Sequence, residues 1–127
     1  AEGNIDQAIN TVETIVQVRP NDPVMFFQLG LLRYEDQRYE AAVSAFENAL
    51  SLNSNYDNAL YFLGLSYDQV GRTGDAITIF TDLSQRYPEN QNVAEILSEL
   101  EGGNTPVEIE ESEEIEEELP IEETIEE

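Results

Sequence analysis

The stretch Phe26-Phe27-Gln28-Leu29-Gly30-Leu31-Leu32 returns 34 residues later as Leu60-Tyr61-Phe62-Leu63-Gly64-Leu65-Ser66. The same shift carries Ala42 onto Ala76 and Phe46 onto Phe80, and leads back to Ala8 and Val12. Pro20, Ser54 and Pro88 share a column, as do Gly3, Gln37 and Gly71. Several columns at one fixed period mark an internal repeat, the signature of stacked supersecondary units. Inside each unit the apolar spacing is helical: Phe26 stands three and four residues before Leu29 and Gly30 and Leu29 three before Leu32, and Ala42 stands four before Phe46, itself three and four before Ala49 and Leu50. Asp22-Pro23 is a helix start, an N-cap followed by Pro in the first turn. Gly71-Arg72-Thr73-Gly74-Asp75 is a tight helix-helix turn. A mid-helix Gly costs about 1 kcal/mol relative to Ala. Gly30 and Gly64 therefore read as points of close backbone approach, with Ala42 and Ala76 as the small residues of the facing helix.

Charge divides the chain. Of 127 residues, 28 are Asp or Glu and 5 are basic, all of them Arg, for a net charge of -23. Residues 102-127 hold 12 Glu and no basic residue, which leaves 16 acids and five Arg, or -11, in residues 1-101. All aromatic residues lie at or before Tyr87, so the first part can build a core and the second cannot do so alone. The expected organisation is a domain over 1-101 and a linker plus Glu-rich tail over 102-127, joined through Gly102-Gly103-Asn104-Thr105-Pro106. Such an acidic balance excludes nucleic acid as a partner, since phosphate contacts need clustered Lys and Arg. It also opposes docking on anionic membranes, and no apolar run reaches the roughly 20 residues of a spanning helix. Without His or Cys, the commonest acid-base group, the thiolate nucleophile and most metal-ligand patterns are missing. No phosphate loop, nucleophile elbow, metal-binding His pair or EF-hand loop occurs. Glu116-Glu117-Glu118 lacks the rigid oxygen cage of a calcium or magnesium site. The sequence names no catalytic residue, metal ligand or cofactor.

These residues resemble the tetratricopeptide repeat family, whose pattern runs from a bulky residue through Leu-Gly and Tyr to Ala, an aromatic and Pro. Residues 23-56 carry Phe26, Leu29, Gly30, Ala42, Phe46 and Ala49; residues 57-90 carry Leu60, Leu63, Gly64, Tyr67, Ala76, Phe80 and Pro88. Arg33 stands where Tyr is expected, Ser54 replaces the final Pro, and Leu83 replaces a small Ala. The resemblance implies an all-α helix-turn-helix solenoid made of half a repeat, two full repeats and a terminal helix. Residues 3-22 match only a second helix, with Ala8, Val12, Ile15 and Pro20 in register; residues 91-101 form the last helix. Ile5, Ile9, Val12 and Val16 are then expected to lie partly uncovered. Either the chain is a piece of a longer array, or this helix pairs with another copy in a homo-oligomer. The compartment stays open, with the cytoplasm as default.

In the family the first helix of each pair lines the concave surface where ligands bind. Carried over, the groove columns are Val24, Phe27, Leu31, Tyr34 and Glu35, then Asn58, Tyr61, Leu65, Asp68 and Gln69. Five are bulky and apolar or aromatic. The resemblance thus implies a protein-interaction scaffold that takes an amphipathic helix or an extended peptide with aliphatic anchors. Chaperone-binding members clamp a terminal carboxylate with cations. Here that mode has none to use unless Arg33 turns inward. The tail is not purely polar: Val107, Ile109, Ile115, Leu119, Ile121 and Ile125 recur among the Glu residues. It reads either as a solvated extension or as a segment that folds on a partner, whether the groove itself or a basic protein.

Overall fold

The structure is a computed structural model and describes residues 2-103. The tail from residue 104 onward, and every expectation that falls on it, lies outside the described residues. Six helices follow in order: α1 (Glu2–Val18), α2 (Pro23–Glu35), α3 (Tyr39–Leu52), α4 (Asp57–Gln69), α5 (Thr73–Arg86) and α6 (Gln91–Glu101). Each packs mainly on its neighbours in the chain, and α2 also meets α4. The result is an all-α helical repeat solenoid. α1 is the half repeat, α2/α3 and α4/α5 are the full repeats, and α6 is the terminal helix. First helices α2, α4 and α6 form one layer, second helices α1, α3 and α5 the other.

The elements begin and end for local reasons. Asp22 Oδ1 accepts from the amides of Val24 (3.0 Å) and Met25 (3.4 Å), and Pro23 fills the first helical position. Asn90 caps α6 by accepting from the Val93 amide at 3.0 Å. The turns that end α2 and α4 are built alike. Gln37 (φ 63°) and Gly71 (φ 89°) occupy the left-handed region in the same column. The following amides, Arg38 and Arg72, donate back to the carbonyls of Arg33 and Tyr67, both at 2.8 Å.

The core repeats with the sequence. An added Cβ at Gly30 would stand 2.4 Å from the Phe46 ring, and at Gly64 2.6 Å from the Phe80 ring, so both glycines admit an aromatic side chain against bare backbone. Ala42, Phe46 and Ala49, and their counterparts Ala76, Phe80 and Leu83, are wholly buried. Leu83 therefore fits where a smaller residue was expected.

Arg33 does not disturb the packing. Its guanidinium donates to Glu13 and to the Ala41 carbonyl, each at 3.0 Å. Its counterpart Tyr67 donates to Glu47 at 2.7 Å. Glu13 and Glu47 are themselves one repeat apart. Two different donors thus reach one acceptor column and tie each first helix to the preceding second helix. Burial, with Glu47 adding to it, pushes the Tyr67 phenol up to about 12.

The second repeat has an added clasp. Both carboxylate oxygens of buried Asp57 accept from Arg86 Nη1 (2.7 and 2.8 Å), and Oδ2 also accepts from the hydroxyl of Tyr87. In α1, Ile5, Val12 and Val16 are partly uncovered as expected, and Ile9 alone departs from that expectation. Ile9 is buried against Leu29 and Ala45, and Ile5, Val12 and Val16 pack half-buried around them. These residues face the following repeat, which buries Ile9 and covers the other three in part.

Candidate peptide-binding face

The expected groove residues come from two helices that lie side by side. Val24, Phe27, Leu31 and Tyr34 come from α2, and Asn58, Tyr61, Leu65 and Asp68 from α4. Val24 is half-buried, as are Glu35 and Gln69. The other seven are buried. An open aromatic stripe is therefore not what the structure presents. Phe27 lies against Tyr56 at 4.9 Å, Phe46 at 5.9 Å and Phe62 at 6.1 Å between ring centres. Tyr61 meets Phe80 edge-on at 5.5 Å. Their column sits where a first helix touches both its own second helix and the next repeat. Large rings there close the seam between helices, and they form the floor of the face.

Around that floor the side chains are held by specific contacts. Tyr34 packs edge-on against Tyr39 (5.2 Å) and Phe62 (6.0 Å). Asp68 accepts from the Thr73 hydroxyl at 3.3 Å, which fixes it to the following turn. The Tyr61 hydroxyl donates to Asn92 Oδ1 at 3.0 Å and bridges α4 to α6. Asn92 was missed by the sequence reading, which carried the face only as far as α4. Column arithmetic alone could have found it, since 24, 58 and 92 are successive members of one column. Extending the other columns adds Glu95 beyond Phe27 and Tyr61, and Glu99 beyond Leu31 and Leu65. All three α6 residues are exposed. The face changes along its length, from apolar and aromatic at α2 to acidic at α6.

No cation belongs to it. Arg33 is turned to Glu13. Arg19 pairs with Asp22, Arg38 with Asp6 and Asp36, Arg72 with Asp75, and Arg86 with Asp57 and Asp82. Every Arg of the chain is thus engaged within the body, and clamping of a carboxylate has no donor of that kind here. Among the described residues no group of acidic side chains is placed to hold a metal ion, and no helix is long and apolar enough to cross a membrane.

Paired helices at a fixed period, each first helix docked through a glycine on an aromatic of the second, define a helical repeat protein of the solenoid class. The chain belongs to the tetratricopeptide repeat family: one family model matches residues 33–100, more than half its length, and a second matches residues 1–57. Among curated proteins it is similar to the peroxisomal targeting signal receptor of Saccharomyces cerevisiae. The two are 28% identical over 89 residues, 70% of this chain and 14% of the receptor. The receptor of the same name from Kluyveromyces lactis is 30% identical over 91 residues, 71% of this chain and 16% of that protein. Human protein O-mannosyl-transferase TMTC3 is 28% identical over 75 residues, 59% of this chain and 8% of that protein. The chain spans less than a fifth of each of these relatives. What proteins named as receptors and as a transferase share with it is the repeat. The repeat supports a protein-interaction scaffold.

Proposed function

We propose that the face built by α2, α4 and α6 binds a short segment of a partner protein, an extended peptide or an amphipathic helix with aliphatic anchors. The observation that carries this reading is the run of aromatic floor and polar rim. Phe27, Tyr34 and Tyr61 form the floor with Leu31 and Leu65, Val24 lies half-buried at its edge, and Asn92, Glu95 and Glu99 give an exposed polar rim. An exposed amide beside an apolar floor suits a peptide backbone with aliphatic side chains. Exposed Glu95 and Glu99 favour a basic residue where the ligand crosses α6. That relatives matching this stretch are named receptors for a targeting signal supports a peptide as the ligand.

A homo-oligomer through α1 draws on less, because most of that helix's apolar residues pack inward and Val18 at its end is the one large exposed apolar side chain. The test is to pan a random peptide library displayed on phage against the full chain, then repeat it with Val24→Glu and with Asn92→Asp. Both positions are outside the buried core, so helicity by circular dichroism should be unchanged. Enriched peptides should share two aliphatic positions and lose about tenfold in affinity, near 1.4 kcal/mol, for Val24→Glu. Enriched peptides indifferent to both substitutions would sink the proposal.

A further inference from the structure

We infer that the two ends of the stack are the halves of one repeat, and that α6 of one copy pairs with α1 of a second copy, head to tail. Among the described residues α1 is a second helix with no first helix before it, and α6 is a first helix with no second helix after it. They pack on opposite neighbours, α2 and α5, so one molecule cannot close the contact on itself.

The first ground is burial read down the columns. Ala42, Phe46 and Ala49 of α3, and Ala76, Phe80 and Leu83 of α5, are wholly buried. Their counterparts in α1, Ala8, Val12 and Ile15, are only half-buried. α6 shows the same contrast. Leu29, Gly30, Leu63 and Gly64 are buried, whereas Leu97 is half-buried and Ser98 is exposed. Each end leaves open the strip that a full repeat buries against its partner helix.

The second ground is the fit between these strips. Gly30 meets Phe46 and Gly64 meets Phe80, the smallest residue against a large ring. The same columns hold Ser98 and Val12 at the ends, where the first member has grown and the second has shrunk. A Cβ at Gly64 would also stand 3.1 Å from Ile79, whose column in α1 holds the smaller Thr11. The helices of a pair run antiparallel, so one turn before Gly30 faces one turn after Phe46. There the pairs are Phe26 with Ala49, Leu60 with Leu83 and, at the ends, Ala94 with Ile15. A change at one end is thus matched by the opposite change at the other. Packing at interior density requires such matching, and a surface facing water does not.

The third ground singles out the occupant. Continued past α6 in the sequence, the columns of Ala42, Phe46 and Ala49 reach Glu110, Glu114 and Glu117, acids where a full repeat buries apolar groups. The apolar strip that fits α6 in register is that of α1, which holds no acid. At -23 per copy the molecules repel, so association should strengthen as salt screens them. One helix seam is a small interface, and the contact is accordingly weak. It repeats the step of the solenoid without closing, so it builds open chains of copies.

Sedimentation equilibrium of the full chain, from about 10 μM to about 1 mM at low and high salt, tests this in the range where weak contacts populate. Mass should rise with concentration past two copies, and further at high salt. Thr11→Glu obstructs the α1 strip and Ser98→Glu the α6 strip. Both positions are exposed, so helicity by circular dichroism should be unchanged. Each variant alone should lose about a hundredfold in association constant. Mixed in equal amounts, they should form a dimer and stop there, because one intact α6 meets one intact α1. A mass of one copy throughout would overturn the inference and make both strips solvent-facing caps. A parent chain that stops at a dimer, with Ser98→Glu still dimeric by itself, would overturn it in favour of α1 on α1. Variants that associate as the parent does would place the contact elsewhere.

Discussion

The two full repeats, α2/α3 and α4/α5, share a core and differ at their edges. In both, an aromatic ring of the second helix rests on a glycine of the first, beside the wholly buried Ala42 and Ala76 of one column. At the edges the first repeat uses Arg33 where the second uses Tyr67, and Gln37 where the second uses Gly71. Only the second has the Asp57, Arg86 and Tyr87 clasp. The glycine-aromatic contact is set by steric fit, which admits little variation. A hydrogen bond from a first helix to a Glu of the preceding second helix can be donated by a guanidinium or a phenol. A left-handed turn residue can be Gly or, at some cost, Gln. What the stack demands of every repeat is shape; what each repeat chooses for itself is polar chemistry.

The largest test of this division is at the glycines. Gly30→Ala would place Cβ at 2.4, 2.6 and 2.8 Å from three atoms of the Phe46 ring, which is fully buried and hemmed by Phe27 and Phe62. Gly64→Ala meets one atom of Phe80 at 2.6 Å, with the next at 3.1 Å. After the gain in helix propensity, overpacking should destabilise by about 2 kcal/mol at Gly30 and about 1 kcal/mol at Gly64. Urea unfolding of the two variants measures this. Equal costs would mean that the first repeat yields as easily as the second, and that shape constrains it less than argued.

A smaller effect belongs to the turns. Gln37 holds a left-handed conformation that Gly71 adopts without a Cβ penalty. Gln37→Gly should stabilise the fold by about 0.5 kcal/mol, strain relief being partly offset by the freer unfolded chain, and Gly71→Gln should destabilise it by about 1 kcal/mol. Thermal melts of both resolve the signs. Loss of stability in Gln37→Gly would show that the Gln side chain contributes something the turn geometry does not reveal.

How much of this could be read in advance depends on the kind of interaction. Leu29-Gly30 and Leu63-Gly64 announced the helix pairs because close packing restricts residue identity, and restriction leaves a periodic trace. Gln37 and Gly71 shared a column, so even the left-handed turn was written in the repeat. The fate of Arg33 was not. Its partner Glu13 and the Tyr67 partner Glu47 lie at the same separation in sequence, but only the fold brings α1 and α2 together at that height. The face was half legible. Column positions named its residues, yet could not tell that Phe27 and Tyr61 serve as floor, because an aromatic residue at a helix seam suits core and surface equally. Asn92 was legible by simple extension of a column.

The last contrast is in alkali, where the two junctions should part. The Tyr67 phenol titrates near 12 in the folded chain against 10.0 when unperturbed, through burial and the neighbouring Glu47. Above pH 10 the unfolded chain releases this proton while the folded chain keeps it, so the unfolded state is favoured and stability falls as pH rises toward 12. Below pH 10 both states hold the proton and the junction contributes its full share. The first repeat has no phenol at this junction, where Arg33 donates to Glu13 instead, so it adds no such slope. Tyr67→Phe should therefore lose the Glu47 hydrogen bond, at about 1 kcal/mol near neutral pH, and flatten the fall between pH 10 and 12. Arg33→Tyr should do the reverse and make the first junction alkali-sensitive as well. Denaturant midpoints taken at neutral pH and through this window for the three chains decide it. A Tyr67→Phe chain that loses stability in alkali as steeply as the parent would place the sensitivity elsewhere and remove the distinction between the two junctions.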